Sequence, residues 1–210
     1  INYVMDANNK PFTPNEMDEG VFANKYSNLS TINLDANLTK ILPYMFAGAA
    51  ITSITIPEGV TTIDAYAFYE CRSLAAISIP GSVTKIGNYV FYNCMSLSKV
   101  TFEDSETTLH IGYQPSSIDD VGPFWQSPLT EIYIYRELAY DNDNVRTDEG
   151  LFANSRRDEL VTKVDMGGHF RTILPYMFSY SAVGGTVVNG NHVPGSVWIP
   201  HTIKSIGDYA

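Results

Sequence analysis

The feature that most constrains this chain is a repeat. Residues 51–73 read ITSITIPEGVTTIDAYAFYECRS and residues 74–96 read LAAISIPGSVTKIGNYVFYNCMS, a step of 23 residues. On that step Ile54 falls on Ile77, Ile56 on Ile79, Pro57 on Pro80, Val60 on Val83, Ile63 on Ile86, Phe68 on Phe91 and Cys71 on Cys94. A period in the twenties with fixed apolar columns marks a solenoid, because each repeat is too small to bury its apolar face alone and does so against its neighbours. Apolar Ile54 and Ile56 alternate with polar Ser53 and Thr55, which predicts a short strand with one buried face. Pro57 ends it, since proline cannot donate to a ladder. DAYAFYEC, residues 64–71, is too short for a full helix and is expected to make one or two helical turns, with Ala67, Phe68 and Cys71 inward.

The same frame reaches the less regular parts. Leu29 opens a rung with Ile32 and Leu34 inward, then Ile41 and Phe46. Leu97 opens another with Val100 and Phe102 inward, which swells through residues 103–123 before closing on Phe124. Leu129, Ile132 and Ile134 begin the next, and a long polar loop delays its closure to Phe152. Leu160 opens a rung with Val164 and Met166 inward, completed by Ile173 and Phe178. The last begins near Val193 and carries Val197, Ile199, Pro200, Ile203 and Ile206. The expected architecture is a single solenoid of about seven rungs: irregular over 1–50, regular over 51–96, irregular with long loops over 97–193, and a regular rung starting at 194–210. Phe22, Phe46, Phe68, Phe91, Phe124, Phe152 and Phe178 form one column through it, which predicts a stacked phenylalanine spine. Cys71 and Cys94, at one repeat position, are expected to be buried free thiols.

A longer repeat overlies the short one. DEGVFAN at Asp18 returns as DEGLFAN at Asp148, and ILPYMF at Ile41 returns at Ile173. The parent unit is several rungs long, and the chain is expected to be part of a longer array. The second copy holds an extra stretch in which TVV and NHV flank Asn189-Gly190, the strongest short signal for a hairpin with a type I′ turn. A small projecting β-hairpin is expected there.

Charge and motifs narrow the function. A net charge of −10 argues against nucleic acid, which needs a basic stripe, and against anionic membrane surfaces. No run has the length of a membrane span, so no insertion by this chain is expected. His110, His169, His192 and His201 are scattered, and no GxSxG, HExxH or phosphate-binding glycine loop occurs. The acidic stretch from Asp141 to Glu149 fails the calcium-loop template, with Val145 and Arg146 where a ligand and a glycine belong. No catalytic residue, metal or cofactor is expected.

The repeat LxxIxIPxxVTxIxxxAFxxCxx of residues 51–96 resembles the BspA-like (Treponema-type) leucine-rich repeat. The likeness is strongest over 51–96 and 194–210, weaker over 97–160 and weakest over 1–28. Pro57, Pro80 and Pro200 stand just after the strand, where the ribonuclease-inhibitor and internalin patterns use an asparagine at the corner. The resemblance implies a right-handed curved leucine-rich-repeat solenoid of short parallel strands. It also implies a secreted or bacterial cell-surface location, adhesion or protein binding, and no enzymatic activity.

Outward strand positions are where binding residues would sit. Most rungs place small polar groups there, but Tyr133 and Tyr135 flank Ile134, and Trp198 lies between Val197 and Ile199. Aromatics at exposed positions are enriched at interface hot spots, so Tyr133, Tyr135 and Trp198, with the insertion tip Asn189 and Gly190, are the candidate ligand contacts. A host or microbial protein is the expected partner, a glycan the alternative, and a structural spacer the third reading. Tyr44, Tyr66, Tyr89, Tyr176 and Tyr209 each precede a column position by two residues, and that regularity points to packing between turns.

Overall fold

The computed structural model describes residues 22, 30–112, 122–141, 151–152, 160–178, 182–183, 186–188, 191–193, 198–208 and 210. Its strands are β1 (Thr31–Ile32), β2 (Lys40–Ile41), β3 (Ser53–Ile54), β4 (Thr62–Ile63), β5 (Ala76–Ile79), β6 (Lys85–Ile86), β7 (Lys99–Ile111) and β8 (Glu131–Tyr140). They continue with β9 (Leu160–Val161), β10 (Lys163–Met166), β11 (Thr172–Ile173), β12 (Ala182–Val183), β13 (Thr186–Val188), β14 (Asn191–Val193) and β15 (Ser205–Ile206). All pairings are parallel except the antiparallel β13–β14 hairpin, whose turn residues Asn189 and Gly190 lie outside the described residues.

The registers follow the apolar columns. Ile77, Val100, Ile132 and Val164 lie side by side across β5, β7, β8 and β10, as do Ile79, Phe102, Ile134 and Met166. A second ladder aligns Ile41, Ile63, Ile86 and Ile111 across β2, β4, β6 and β7, all four fully buried. Gly87 follows Ile86 because a Cβ there would collide with the backbone of Ala65 in the rung below. Hydroxyls reinforce the ladders: Thr61 and Thr84 each donate to the carbonyl of the equivalent residue one rung earlier, Thr39 and Thr61, at 3.2 Å.

The side opposite the strands departs from expectation. No helix occurs among the described residues, and the stretch read as one or two helical turns is a tight non-helical turn. Tyr66 and Glu70 take φ of 60° and 55°, as do Tyr89 and Asn93 one rung later at 55° and 56°. Left-handed conformations cost a non-glycine residue about 1–2 kcal/mol, and here the stacking offsets that cost. Amides alternate in direction. Tyr66, Phe68 and Glu70 donate to Asn88, Val90 and Tyr92 of the next rung at 2.9, 2.9 and 2.8 Å. Ala67, Tyr69 and Cys71 donate back to Asp64, Tyr66 and Phe68 at 3.3, 3.0 and 3.1 Å. A helix would keep every amide for itself, whereas this turn sends half of them across to its neighbour.

Inside the turns the phenylalanines form a continuous file. Ring centroids are 5.3 Å apart for Phe22–Phe46, 5.0 Å for Phe46–Phe68, 5.3 Å for Phe68–Phe91 and 5.1 Å for Phe91–Phe124. Phe124–Phe152 is tilted at 5.8 Å, and Phe152–Phe178 stacks again at 5.4 Å. Three residues after Phe68, Phe91 and Phe124 sits a capping donor to the rung before. Cys71 Sγ donates to Phe46 O at 3.0 Å, Cys94 Sγ to Phe68 O at 3.2 Å, and Ser127 Oγ to Phe91 O at 2.6 Å. Both cysteines are fully buried and unpaired. Burial pushes the Cys71 thiol up to about 12 and raises that of Cys94 as well. The column takes a small buried residue, Ala49 after Phe46, and where it carries a donor serine takes the place of cysteine.

The rung from Leu97 differs from its reading as a loop-like swelling. Residues 103–111 are strand, so β7 runs unbroken for 13 residues, with register shifts against β8 between Phe102 and Ser105 and between Ser105 and Leu109. Regular rungs turn at a proline whose carbonyl accepts the amide three residues on, Val60 to Pro57 and Val83 to Pro80. Glu103 and Tyr135 replace that proline in the two long-strand rungs, so the corner is not forced. Residues 103–108 of β7 contribute no buried side chain, and the space beneath is filled from β8 by Arg136, which is 0% exposed. Its Nη1 donates to Pro80 O at 3.1 Å, and Nη2 donates to Thr107 O and Oγ1 at 2.8 and 3.0 Å. One side chain thereby satisfies carbonyls in two earlier rungs, including one freed by the irregular β7 ladder.

The last rung corrects a second expectation. Ile199 and Ile206, placed inward by the frame, are 45% and 58% exposed. Neither β15 nor residues 198–200 has a strand beyond it among the described residues, so these side chains lack the neighbouring rung that buries their counterparts Ile56 and Ile63.

Candidate functional site

The strand face changes character along the solenoid. Ser53 and Thr55, then Ala76 and Ser78, present small exposed groups on the regular rungs. From β7 onward the same positions carry Lys99, Thr101 and Glu103, then Glu131, Tyr133 and Tyr135, then Lys163 and Asp165. The parallel register sets Lys99, Glu131 and Lys163 in one row, and Thr101, Tyr133 and Asp165 in the next.

Tyr133 and Tyr135 are therefore adjacent on one strand face, with centroids 6.4 Å apart, and both are half-buried. Lys99 Nζ lies 4.7 Å from the Tyr133 centroid and Lys163 Nζ 4.6 Å, one from each neighbouring strand. Tyr133 Oη donates to Glu131 at 2.8 Å, and Tyr135 Oη to Asp165 at 3.2 Å. Burial raises the Tyr135 phenol above its ordinary range, with Asp165 adding to it, and the contact with Tyr133 raises the Lys163 ammonium. Both shifts keep the Tyr135 phenol protonated and the Lys163 ammonium charged at neutral pH.

Around this row the loop after β10 is pinned by two carboxylates. Asp104 accepts from the His169 amide at 3.1 Å and lies 2.8 Å from its Nδ1, and this bonding lowers the Asp104 carboxyl. Glu137 accepts from the amides of Arg171 and Thr172 at 2.6 and 3.3 Å. Gly168 allows the close approach: it has φ of +53°, and a Cβ there would strike Tyr135 O and the Asp104 carboxylate. His110 faces Asp141 at 3.5 Å, beside Lys85 at 2.6 Å from the same carboxylate. These are surface ion pairs, not a nucleophile with a base, and no group of three metal-ligating side chains occurs among the described residues. The acidic stretch after Asp141 lies outside the described residues.

Of the other candidate contacts, Trp198 is 74% exposed in the last rung, separate from the tyrosine pair in the chain, while Asn189 and Gly190 lie outside the described residues. The tyrosine column packs between turns: Tyr44–Tyr66 and Tyr66–Tyr89 stack at 4.8 and 5.0 Å, and a second file, Tyr69–Tyr92, stacks at 5.2 Å. Tyr209 lies outside the described residues. Sequence reading missed the two lysines over Tyr133 and the buried Arg136. The lysines were in principle legible, since Lys99 and Lys163 hold the same rung position on either side of Glu131. Arg136 was not, because its inward position follows from strand alternation running past the expected corner.

Among the described residues no helix is long and apolar enough to cross a membrane. The family model described as "BspA type Leucine rich repeat region (6 copies)" matches residues 11–114. No curated protein matches the chain. The crystal structure of a leucine-rich repeat protein from Eubacterium ventriosum aligns with a TM-score of 0.52 at 22% identity, covering 85% of this chain and 41% of that one. The chain thus spans about two fifths of the length of that protein, and the likeness is one of fold. With the 23-residue period, the parallel ladders and the match over residues 11–114 in agreement, the chain carries a BspA-type leucine-rich repeat region.

Proposed function

We propose that this chain is a non-catalytic recognition module of a secreted or bacterial surface protein, which binds a host or microbial protein through the strand face of its long-strand rungs. A leucine-rich-repeat array supports such a role because rungs contact only their neighbours, so outward residues vary without disturbing the core. The observation that carries the reading is the tyrosine pair Tyr133 and Tyr135, set among Lys99, Glu131, Lys163 and Asp165 where the regular rungs carry only small side chains. Tyrosine is among the residues enriched at protein hot spots.

The same geometry favours a protein over a glycan. Sugar recognition by an aromatic ring uses an open ring face, and lysines from both neighbouring strands lie against the Tyr133 ring. Trp198, 74% exposed, is the open aromatic that keeps a glycan as the second reading.

The test is adhesion of beads coated with the chain to host or bacterial cells. Tyr133→Ala, Tyr135→Ala and Trp198→Ala together should abolish adhesion while leaving the circular dichroism unchanged. Unchanged adhesion would leave the spacer reading in its place. Competition by free sugar would transfer the assignment to the glycan.

A further inference from the structure

Tyr133 and Tyr135 share one strand face but not one environment, and the two-residue alternation of the sheet explains why. Tyr133 takes its neighbours from the row before it, where the parallel register sets Lys99 and Lys163 on either side of Glu131. Both lysines reach forward along their strands and place Nζ 4.7 and 4.6 Å from its ring centroid. Tyr135 takes its neighbours from the next row, where the same two positions are Thr101 and Asp165. Asp165 also reaches forward, and accepts from the Tyr135 hydroxyl at 3.2 Å. One ring is thus flanked by two cations, the other by a threonine and a carboxylate.

The β10 side of Tyr135 lacks a side chain as well as a cation. Gly167 follows Met166 there, and its amide donates to Ile134 O at 3.0 Å. A Cβ at Gly167 would lie 3.4 and 3.6 Å from the Tyr135 ring, so glycine leaves uncovered a side that any other residue would touch. No cation lies over Tyr135 among the described residues, and the ring it meets is that of Tyr133, 6.4 Å away. Neither Asp165 nor Glu103 forms an ion pair among the described residues. Glu103, the outward residue after Thr101 on β7, accepts from the Ser78 hydroxyl. Lys163, raised first by Tyr133 and also by Asp165, lies over the Tyr133 ring. An aromatic face beside carboxylates attracts a cation, and the attraction grows as a partner excludes water.

We propose that the Tyr135 ring, together with Asp165, receives an arginine side chain of the partner protein. Arginine suits the place better than lysine, because its planar guanidinium stacks on a ring while its edge donors reach a carboxylate. The lysines over Tyr133 show how this face holds a cation, and at Tyr135 the sequence supplies none. The proposal rests on the reading of the chain as a protein-recognition module, and names the side chain that module selects.

The probe is N-acetylarginine amide, titrated into the whole chain while the tyrosine ring signals are followed by NMR. Tyr133→Phe and Tyr135→Phe assign the signals. Saturable shifts of the Tyr135 ring are expected, with Tyr133 moving less. N-acetylcitrulline amide, similar in shape but uncharged, should move neither. Asp165→Asn should weaken binding of the arginine probe roughly two- to five-fold, the scale of one exposed ion pair. The proposal falls if Tyr135 does not move, if Tyr133 moves as much, or if the citrulline probe acts equally well. It falls to the glycan reading if glucose shifts Tyr135 and the arginine probe does not. Adhesion to cells separates it from the reading it rests on. Adhesion lost in Tyr135→Ala, and competed by the arginine probe but not by the citrulline probe, supports both. Adhesion lost in that variant, with no arginine binding at Tyr135, removes this proposal and leaves the former.

Discussion

The rungs over 51–96 and the β7–β8 pair solve the same problem with different materials. In the regular rungs a proline forces each corner, its carbonyl is taken by the amide three residues on, and the core is wholly apolar. In the long-strand rungs the proline is gone, the strand runs through the corner, and a buried guanidinium fills the space. A buried arginine held by two carbonyls and a threonine hydroxyl is an expensive filler, and burial holds its guanidinium below its ordinary range. What the irregular rungs gain is a longer strand face, and the large and charged outward residues stand there. Regularity serves packing, and departure from it makes a surface.

The largest expected effect tests the regular side. Phe68→Ala removes a fully buried ring stacked between Phe46 and Phe91, and should cost about 3–5 kcal/mol by urea denaturation. An unmoved midpoint would mean that the spine does not hold the turns together. Next comes the filler. Arg136→Met keeps the aliphatic stem but removes the donors to Thr107 O and to Pro80 O, the latter keeping the Val83 amide, and should cost about 1–3 kcal/mol. A more stable Arg136→Met variant would show the buried charge to be a net burden, erasing the energetic half of the contrast.

The cysteine column sharpens the comparison through pH. A thiol near 9.0 when unfolded and about 12 when folded binds more protons in the native state between those values. The stability it supports is therefore complete below about pH 9 and is lost as pH rises toward 12. Tyr44, Tyr69 and Tyr135, raised by burial, add to the loss above their ordinary value of 10.0. Replacing Cys71 and Cys94 by serine, the residue that caps Phe91 at position 127, should change stability at pH 7 by about 1 kcal/mol or less. It should also shift the onset of alkaline unfolding upward from pH 9, and an unchanged onset would show that the thiols stay protonated for no energetic reason. The smallest effect belongs to the long-strand face. Lys99→Gln should cost about 0.5–1 kcal/mol, as expected of a cation over a partly exposed ring, and Lys163→Gln, at a fully exposed lysine, should cost less. A cost above that of Arg136→Met would make the face part of the scaffold.

The sequence by itself determined the columns. A 23-residue period aligned on Ile54, Ile56, Phe68 and Cys71 requires that these side chains stack, because nothing else in a repeat this short can bury them. The same logic located the outward tyrosines on β8. Tertiary structure alone decided the rest. Left-handed Tyr66 and Glu70 replace a helical turn because half the turn's amides are committed to the next rung, a bond between residues 22 apart that no local pattern records. Arg136 is buried because β8 continues past the place where a proline would have turned it, and carbonyls of Pro80 and Thr107, two different rungs, meet there. The lysines cover Tyr133 because parallel pairing sets β7, β8 and β10 side by side. Periodicity fixes which residues face inward, and only the stacked rungs fix what each meets there.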